Sequence, residues 1–355
     1  MAINLSHRIF MAPSLKAPTM RIPIKLLILA MLAFVALVLY LNWTDDRRSG
    51  PLLSDLRTLP INSQGQPGTA GNLLGIETRL QPADYQSRER LRLKFATYLD
   101  QARDAGLIGS RTIVVLPEHV GTGLFALGEK PEVQQARTLR DAMQWMALSN
   151  PWDYLRAQLD NTSEDRRTGA VLRIKAPQMA DDYQRIFADL AKEYGVTLVA
   201  GSIVLPEPRL QAGRLKTGTG PLRQVSLVFG PDGEPIGPLH YKTALSRYER
   251  RYSKAPERQE IALLHTPAGR LAVLLGCDGY TRSLPTTTDL LALPGMDERK
   301  TSACAPLEPL DRSLPRMAVR TLGLPWNLLG SPRKPAQRTP AEPVQLHNLW
   351  LPERP

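Results

Sequence analysis

From Leu26 to Leu41 the chain reads LLILAMLAFVALVLYL, sixteen consecutive residues without a charge. Such a run is helical and removed from water, in a large core or in a bilayer, because it has no polar face to expose. Extended from Ile22 to Trp43 it holds 22 residues. As a helix at about 1.5 Å per residue this spans about 33 Å, enough for a bilayer core. Tyr40 and Trp43 stand at its far end, where amphipathic rings favour the headgroup layer. Arg8, Lys16, Arg21 and Lys25 precede the run, whereas Asp45 and Asp46 offset Arg47 and Arg48 after it. The positive-inside bias assigns residues 1–21 to a cytoplasmic tail and residues 22–43 to a single transmembrane helix in the lipid bilayer of the cell membrane. The remaining chain then lies on the periplasmic or extracytoplasmic side. A cleaved signal peptide is the alternative, although VLYLNWTDD offers no small-x-small cleavage site. A start at Met20, which opens Met-Arg-Ile-Pro-Ile-Lys, is an alternative to one at Met1.

The chain as a whole has the composition of a globular protein, since 43% of the 355 residues are hydrophobic and 22% charged. A disordered chain, a collagen and a many-helix transporter are excluded. Two cysteines, Cys277 and Cys304, are too few for a disulfide scaffold or a cysteine-only zinc site. The five histidines, His7, His119, His240, His265 and His347, include no pair at metal-ligand spacing, so no metal is expected. No phosphate-binding glycine loop or dinucleotide fingerprint occurs, and no cofactor is expected. The net charge of +11 suits an anionic surface. The basic, Tyr-containing stretch from Arg247 to Arg258 is not accompanied by a nucleic-acid-binding motif, so no nucleic-acid partner is expected.

Residues 44–71 read as a linker rich in Gly, Pro, Ser and Gln. Strands are expected at Leu73–Leu80, Thr112–Leu116 and Val196–Ala200, with helices over Tyr85–Ala105 and Met179–Tyr194. Asp232-Gly233 and Ala268-Gly269 mark two hairpin turns, Val225–Phe229 with Ile236–Tyr241 and Ile261–His265 with Leu271–Leu275. Residues 125–175 are helical in flavour, with Phe125, Trp145 and Trp152 as aromatic anchors. Strand–helix–strand units followed by hairpins indicate a layered α/β fold.

Three chemistry-bearing segments fall at strand ends: Pro117-Glu118, then Tyr241-Lys242-Thr-Ala-Leu245, then Gly276-Cys277-Asp278. Tyr194-Gly-Val-Thr-Leu-Val-Ala-Gly-Ser202, Ser226-Leu-Val-Phe-Gly-Pro-Asp-Gly233 and Thr266-Pro-Ala-Gly-Arg270 lie between them. In this order the segments resemble the Glu–Lys–Cys pattern of the carbon–nitrogen hydrolase (nitrilase/amidase) superfamily, over about residues 72–294. The resemblance implies a four-layer α-β-β-α sandwich after the transmembrane helix, over residues 72–300 with 125–175 as an insertion. It also implies a hydrolase of carbon–nitrogen bonds other than peptide bonds, a small-molecule amide or nitrile substrate, and association into homo-oligomers. By the family's chemistry Cys277 attacks the substrate to give a thioester or thioimidate, Glu118 takes the thiol proton and later activates water, and Lys242 offsets the developing negative charge. Glu249, seven residues after Lys242, matches a further carboxylate of the family, and His119 and Asp278 are candidates for substrate contact or support.

The sequence also departs from the pattern. Six residues after Arg270, where the family's nucleophile falls, stands Gly276; Cys277 is one residue late. Side chains alternate faces along a strand, so a one-residue slip turns the thiol away unless a bulge restores it. Ala244 and Gln224 stand where the family commonly has His and Asn. Cys304 reads as bland or as a disulfide partner for Cys277, a pairing that would abolish thiol catalysis. Only 78 residues follow Cys277, 12 of them proline, so residues 301–355 are expected to be a divergent, truncated or frame-shifted tail that leaves the sheet incomplete. Two functions remain open: hydrolysis through Glu118, Lys242 and Cys277, or an inactive nitrilase-like scaffold for binding or assembly at the membrane.

Overall fold

The computed structural model describes residues 21–45, 59–159, 161–257, 259–295, 314–336 and 344–353. The expected cytoplasmic tail up to residue 20, the charges at Arg47 and Arg48, and Cys304 lie outside the described residues. Two units are present, divided at Asp46 and Arg47.

The first unit carries helix α1, Arg21–Asp45. Within its stretch Ile24–Asp45 the most apolar 18 residues have a mean hydropathy of 2.7 and no buried share, so by length and composition it can cross a bilayer or serve as a signal sequence. Tyr40 and Trp43 stack at 6.1 Å near its end.

The second unit is built on two sheets packed face to face. In chain order its first half comprises β1 (Ile61–Gln64), β2 (Asn72–Glu77), α2 (Arg88–Asp104), β3 (Thr112–Val115), α3 (Pro131–Gln135), α4 (Leu139–Ser149), α5 (Pro151–Leu159), α6 (Arg166–Tyr194) and β4 (Thr197–Val199). There follow β5 (Ile203–Pro206), β6 (Arg209–Gln211), β7 (Arg214–Lys216), β8 (Leu222–Ser226), β9 (Val228–Phe229) and β10 (His240–Tyr241). The chain closes with β11 (Leu263–Thr266), β12 (Gly269–Val273), α7 (Asp278–Thr281), β13 (Leu290–Pro294), β14 (Arg316–Val319) and β15 (Gln345–Trp350). The first sheet has the order β1-β15-β2-β3-β4-β9 and the second β11-β12-β13-β14, with β10-β8-β5 and the β6-β7 ribbon as smaller sheets.

The layering follows from strand alternation. On β2, β3 and β4 one set of side chains (Leu74, Ile76, Val114, Leu198) joins Phe95 and Leu99 of α2 and Ile186 and Phe187 of α6 in one core. The opposite set (Leu73, Ile113, Val115, Val199) meets Leu271, Val273, Leu290, Ala292 and Val319 of the second sheet. The outer face of that sheet carries Ala272, Leu274, Leu291 and Leu293, against which Tyr280 of α7 packs. The fold is thus α/β with helix, sheet and sheet layers complete, and α7 represents the outer helical layer among the described residues. Ser87 caps α2 by accepting from Arg90 N at 3.3 Å, and Gly195 ends α6 in the left-handed region. Helix α6 is longer than expected, 29 residues, and accommodates Pro177 within it.

Two corrections concern the ends. Residues 301–355 are not merely a divergent tail: β14 extends the second sheet beside β13, and β15 lies between β1 and β2 in the first. Pro315 and Pro352 fall just outside these strands, where a missing N–H costs no ladder bond. The linker expected over residues 44–71 likewise contains β1, paired in parallel with β15.

Two outcomes follow. Leu346 on β15 is fully buried, so Leu346→Ala should cost about 2–5 kcal/mol, read from the denaturant midpoint. His240 is buried without a hydrogen-bond partner for Nε2 among the described residues, and burial pushes its pKa down to about 4. Between its ordinary value of about 6.5 and about 4 the unfolded chain therefore binds more protons, so stability falls as pH drops through this window, by on the order of 3 kcal/mol. His240→Phe should flatten that acid limb in pH-dependent unfolding.

Candidate functional site

Strand β3 runs through Leu116 and Pro117 to deliver Glu118, which is almost wholly buried. Gln224 of β8 donates Nε2–H to Glu118 Oε1 at 3.1 Å and to Ser202 Oγ at 2.9 Å. His119 adopts a left-handed φ of 61°, strain on the order of 1–3 kcal/mol for a non-glycine residue. It is held there by its N–H donating to Ser202 Oγ at 2.8 Å. Lys242 follows β10 and reaches Glu118 Oε1 at 2.9 Å and Glu249 Oε1 at 2.8 Å. Glu249 opens the 3₁₀ turn Glu249–Arg251, accepts from Ser246 N at 2.7 Å, and lies 3.2 Å from His119 Nε2.

The charges are mutually dependent. Burial raises the Glu118 pKa, Lys242 opposes the rise, and the negative Glu249 adds to it. Burial also disfavours ionisation of Glu249, but Lys242 and the His119 hydrogen bond outweigh it and hold that carboxyl far below the usual range. Burial pulls Lys242 down while the two carboxylates raise it further, so its ammonium form persists. Two carboxyls around one ammonium thus leave Glu118 the group able to exchange a proton.

The structure brings together Glu118, His119, Lys242 and Glu249 but not Cys277. A Cβ on Gly276 would stand 3.0 Å from Lys242 Nζ and 3.3 Å from Glu118 Oε1, so this is the position that faces the acid–amine pair. The backbone there is left-handed at φ 53°. The next residue turns to the other side: Cys277 packs with Leu274, Leu291 and Leu293 on the outer face of the second sheet. It is disulfide-bonded, and no free cysteine occurs among the described residues. The expected meeting of acid, amine and sulfur is therefore corrected, and the cause is a turn beyond the end of β12, in which Gly276 is left-handed and Cys277 is right-handed helical at φ −64°. Asp278 points back inward, accepting from Thr243 N and Oγ1 at 2.7 Å each and from Ala244 N at 2.5 Å, which pins the loop that carries Lys242.

Sequence reading missed Ser202 and Gly295 as parts of this site. Gly295 abuts the carboxyl so closely that a Cβ would fall 2.2 Å from Glu118 Oε2, and its φ of 88° also suits glycine. In the sequence Ser202 shows only as the end of a strand-associated motif, and Gly295 only as the residue after an apolar strand. No group of three or more His, Cys, Asp or Glu placed to hold a metal occurs among the described residues.

No family model matches the chain, and no curated protein does. Among solved structures the chain is similar to an amidase from Nesterenkonia sp., at 14% identity over 73% of this chain and 79% of that one, with a TM-score of 0.43. It is also similar to a carbon-nitrogen hydrolase from Helicobacter pylori G27, at 16% identity over 66% of this chain and 63% of that one, with a TM-score of 0.38.

The cluster's energetics make an asymmetric prediction. Lys242→Met strips the ammonium between Glu118 and Glu249 and should destabilise by about 3–5 kcal/mol. Glu118→Gln should cost clearly less, because Lys242 keeps Glu249. Chemical unfolding of the two variants side by side checks the order.

Proposed function

We propose that this chain is a nitrilase-like scaffold, held at a membrane, whose acid–amine site binds its ligand without forming a covalent bond to it. The observation that supports this reading is the glycine facing Lys242 and Glu118. A thiolate mechanism needs sulfur within about 3–4 Å of the base that takes its proton. Gly276 offers no atom for that step, and the neighbouring sulfur is committed to a disulfide on the opposite face. What the site retains is a carboxyl of raised pKa and a fixed ammonium. These suit a small amide, with the ammonium donating to the carbonyl oxygen and Glu118 accepting from the amide N–H, or a nitrile, whose nitrogen accepts from the ammonium alone.

Hydrolysis through Glu118, Lys242 and Cys277 is the competing reading. It requires reduction of the disulfide and rotation of the Cys277 side chain to the inner face.

Alkylation decides between them. After mild reduction, iodoacetamide should label Cys277 at the same rate in the wild type and in Glu118→Gln, with no release of ammonia from a panel of small amides and nitriles. Slower labelling in Glu118→Gln, together with ammonia release by the wild type, would restore the hydrolytic reading. In a Cys277→Ser background, Gly276→Cys should create a thiol whose alkylation does depend on Glu118, provided the Lys242 tip yields a few tenths of an ångström.

A further inference from the structure

Helices α4 and α5 turn an apolar face to the outside. Trp152 is 78% exposed, Leu155 59% and Leu159 86%, and Trp145 and Leu148 of α4 are also exposed. Trp152, Leu155 and Leu159 stand at i, i+3 and i+7 along one face of α5, a helix that buries none of its residues. The two tryptophans read as aromatic anchors in the sequence; the structure points them outward. A contiguous exposed apolar face of this kind marks an interaction surface.

The other side of α5 borders a basic cleft. Tyr154 and Gln158 line a cavity of about 780 Å³ with Arg140, Arg166, Arg167, Arg251 and Arg333, and the carboxylates among its lining residues are Glu164 and Asp165. Asp165 is already engaged: it caps α6 by accepting from Thr168 N at 3.2 Å and meets Arg251 Nη1 at 3.5 Å. The side chains of Arg140, Arg167 and Arg333 make no hydrogen bond or ion pair among the described residues. Guanidinium groups gathered without acidic partners are suited to a phosphate, which they bind in forked pairs.

We infer that α4 and α5 dock on a bilayer, with Trp152, Leu155 and Leu159 in the interfacial layer and the arginine cleft on the phosphate of an anionic phospholipid headgroup. Three observations select this occupant. Indole rings favour the headgroup layer, the adjoining cleft carries the charge that complements lipid phosphate, and the same chain bears a helix long and apolar enough to cross a bilayer. Covalent linkage to that helix presents the lipid surface at high effective concentration, so a docking contact that is weak by itself is populated. The inference goes beyond the reading of the Glu118–Lys242 site and holds whether or not that site turns over an amide.

Hydrogen–deuterium exchange on the full chain tests it, in nanodiscs of phosphatidylcholine alone and of phosphatidylcholine with phosphatidylglycerol. Amides of residues 139–159 should exchange roughly tenfold more slowly in the anionic discs. The triple substitution Arg140→Gln, Arg167→Gln, Arg333→Gln should abolish the difference, and Trp152→Gln should weaken protection while leaving α6 exchange, the control for folding, unchanged. Equal exchange in both discs overturns the headgroup assignment. Protection reproduced by inorganic phosphate in detergent assigns the cleft to a soluble anion, and protection that grows with protein concentration in detergent assigns the apolar face to a second copy. Either result overturns the inference.

Discussion

One buried ammonium organises the interior of the second unit. Lys242 lies between Glu118, beyond the end of β3, and Glu249, on the turn 249–251, so a single cation ties together an inner strand of the first sheet and the loop beyond β10. Removing the ammonium from a site so dry leaves carboxyls that nothing solvates, whereas removing Glu118 leaves the ammonium paired with Glu249, so the arrangement depends most on the cation. Asp278 extends the tie to the second sheet by binding the Thr243 and Ala244 amides. The two sheets are therefore joined at this end by polar groups and elsewhere by their apolar faces.

The chemistry available at that junction turns on one residue of register. Along the end of β12 the side chains alternate, Val273 inward, Leu274 outward, and the chain then bends so that Gly276 faces the acid–amine pair and Cys277 the outer layer. A sulfur one position earlier would complete a nucleophilic site; one position later it becomes a hydrophobic and disulfide-forming side chain. Gly276 and Gly295 both abut the Glu118 carboxyl, and neither brings a side chain that could react there.

Much of this is legible in the sequence because it rests on local patterns. Buried strands such as Thr112–Val115 and Thr197–Val199 are short apolar runs closed by Pro or Gly, and Glu118 and Lys242 are found by their place at strand ends. The one-residue offset of Cys277 is legible too, since it needs only the spacing from Arg270. What escapes is non-local. Strand β15 pairs with β2, Gln345 opposite Glu77, across nearly the whole length of the domain, too far for any local signal to join them. Proline density misleads because it averages over a region, whereas a strand is sensitive only to proline in its interior. Trp145 and Trp152 mislead in the opposite sense: hydrophobicity says that a side chain prefers to leave water, not which nonaqueous surface receives it.

The turn 249–251 links the two halves of the picture. Its first residue sends a carboxylate into the buried cluster, while its last, Arg251, reaches outward, stacking on Tyr248 at 5.3 Å and donating to Gly330 O at 3.0 Å beside the basic cleft. The 3₁₀ turn of three residues therefore presents one side chain to the buried pair with Lys242 and another to the cleft, with only one residue between them. The turn is held on both sides, by the Ser246 N–H donating to the Glu249 carboxylate and by the Asp165 contact to Arg251. Surface and interior thus meet in three consecutive residues: the buried carboxylate is satisfied by Lys242, His119 and Ser246, and the outer guanidinium by Asp165 and Gly330, so neither draws on the other's partners.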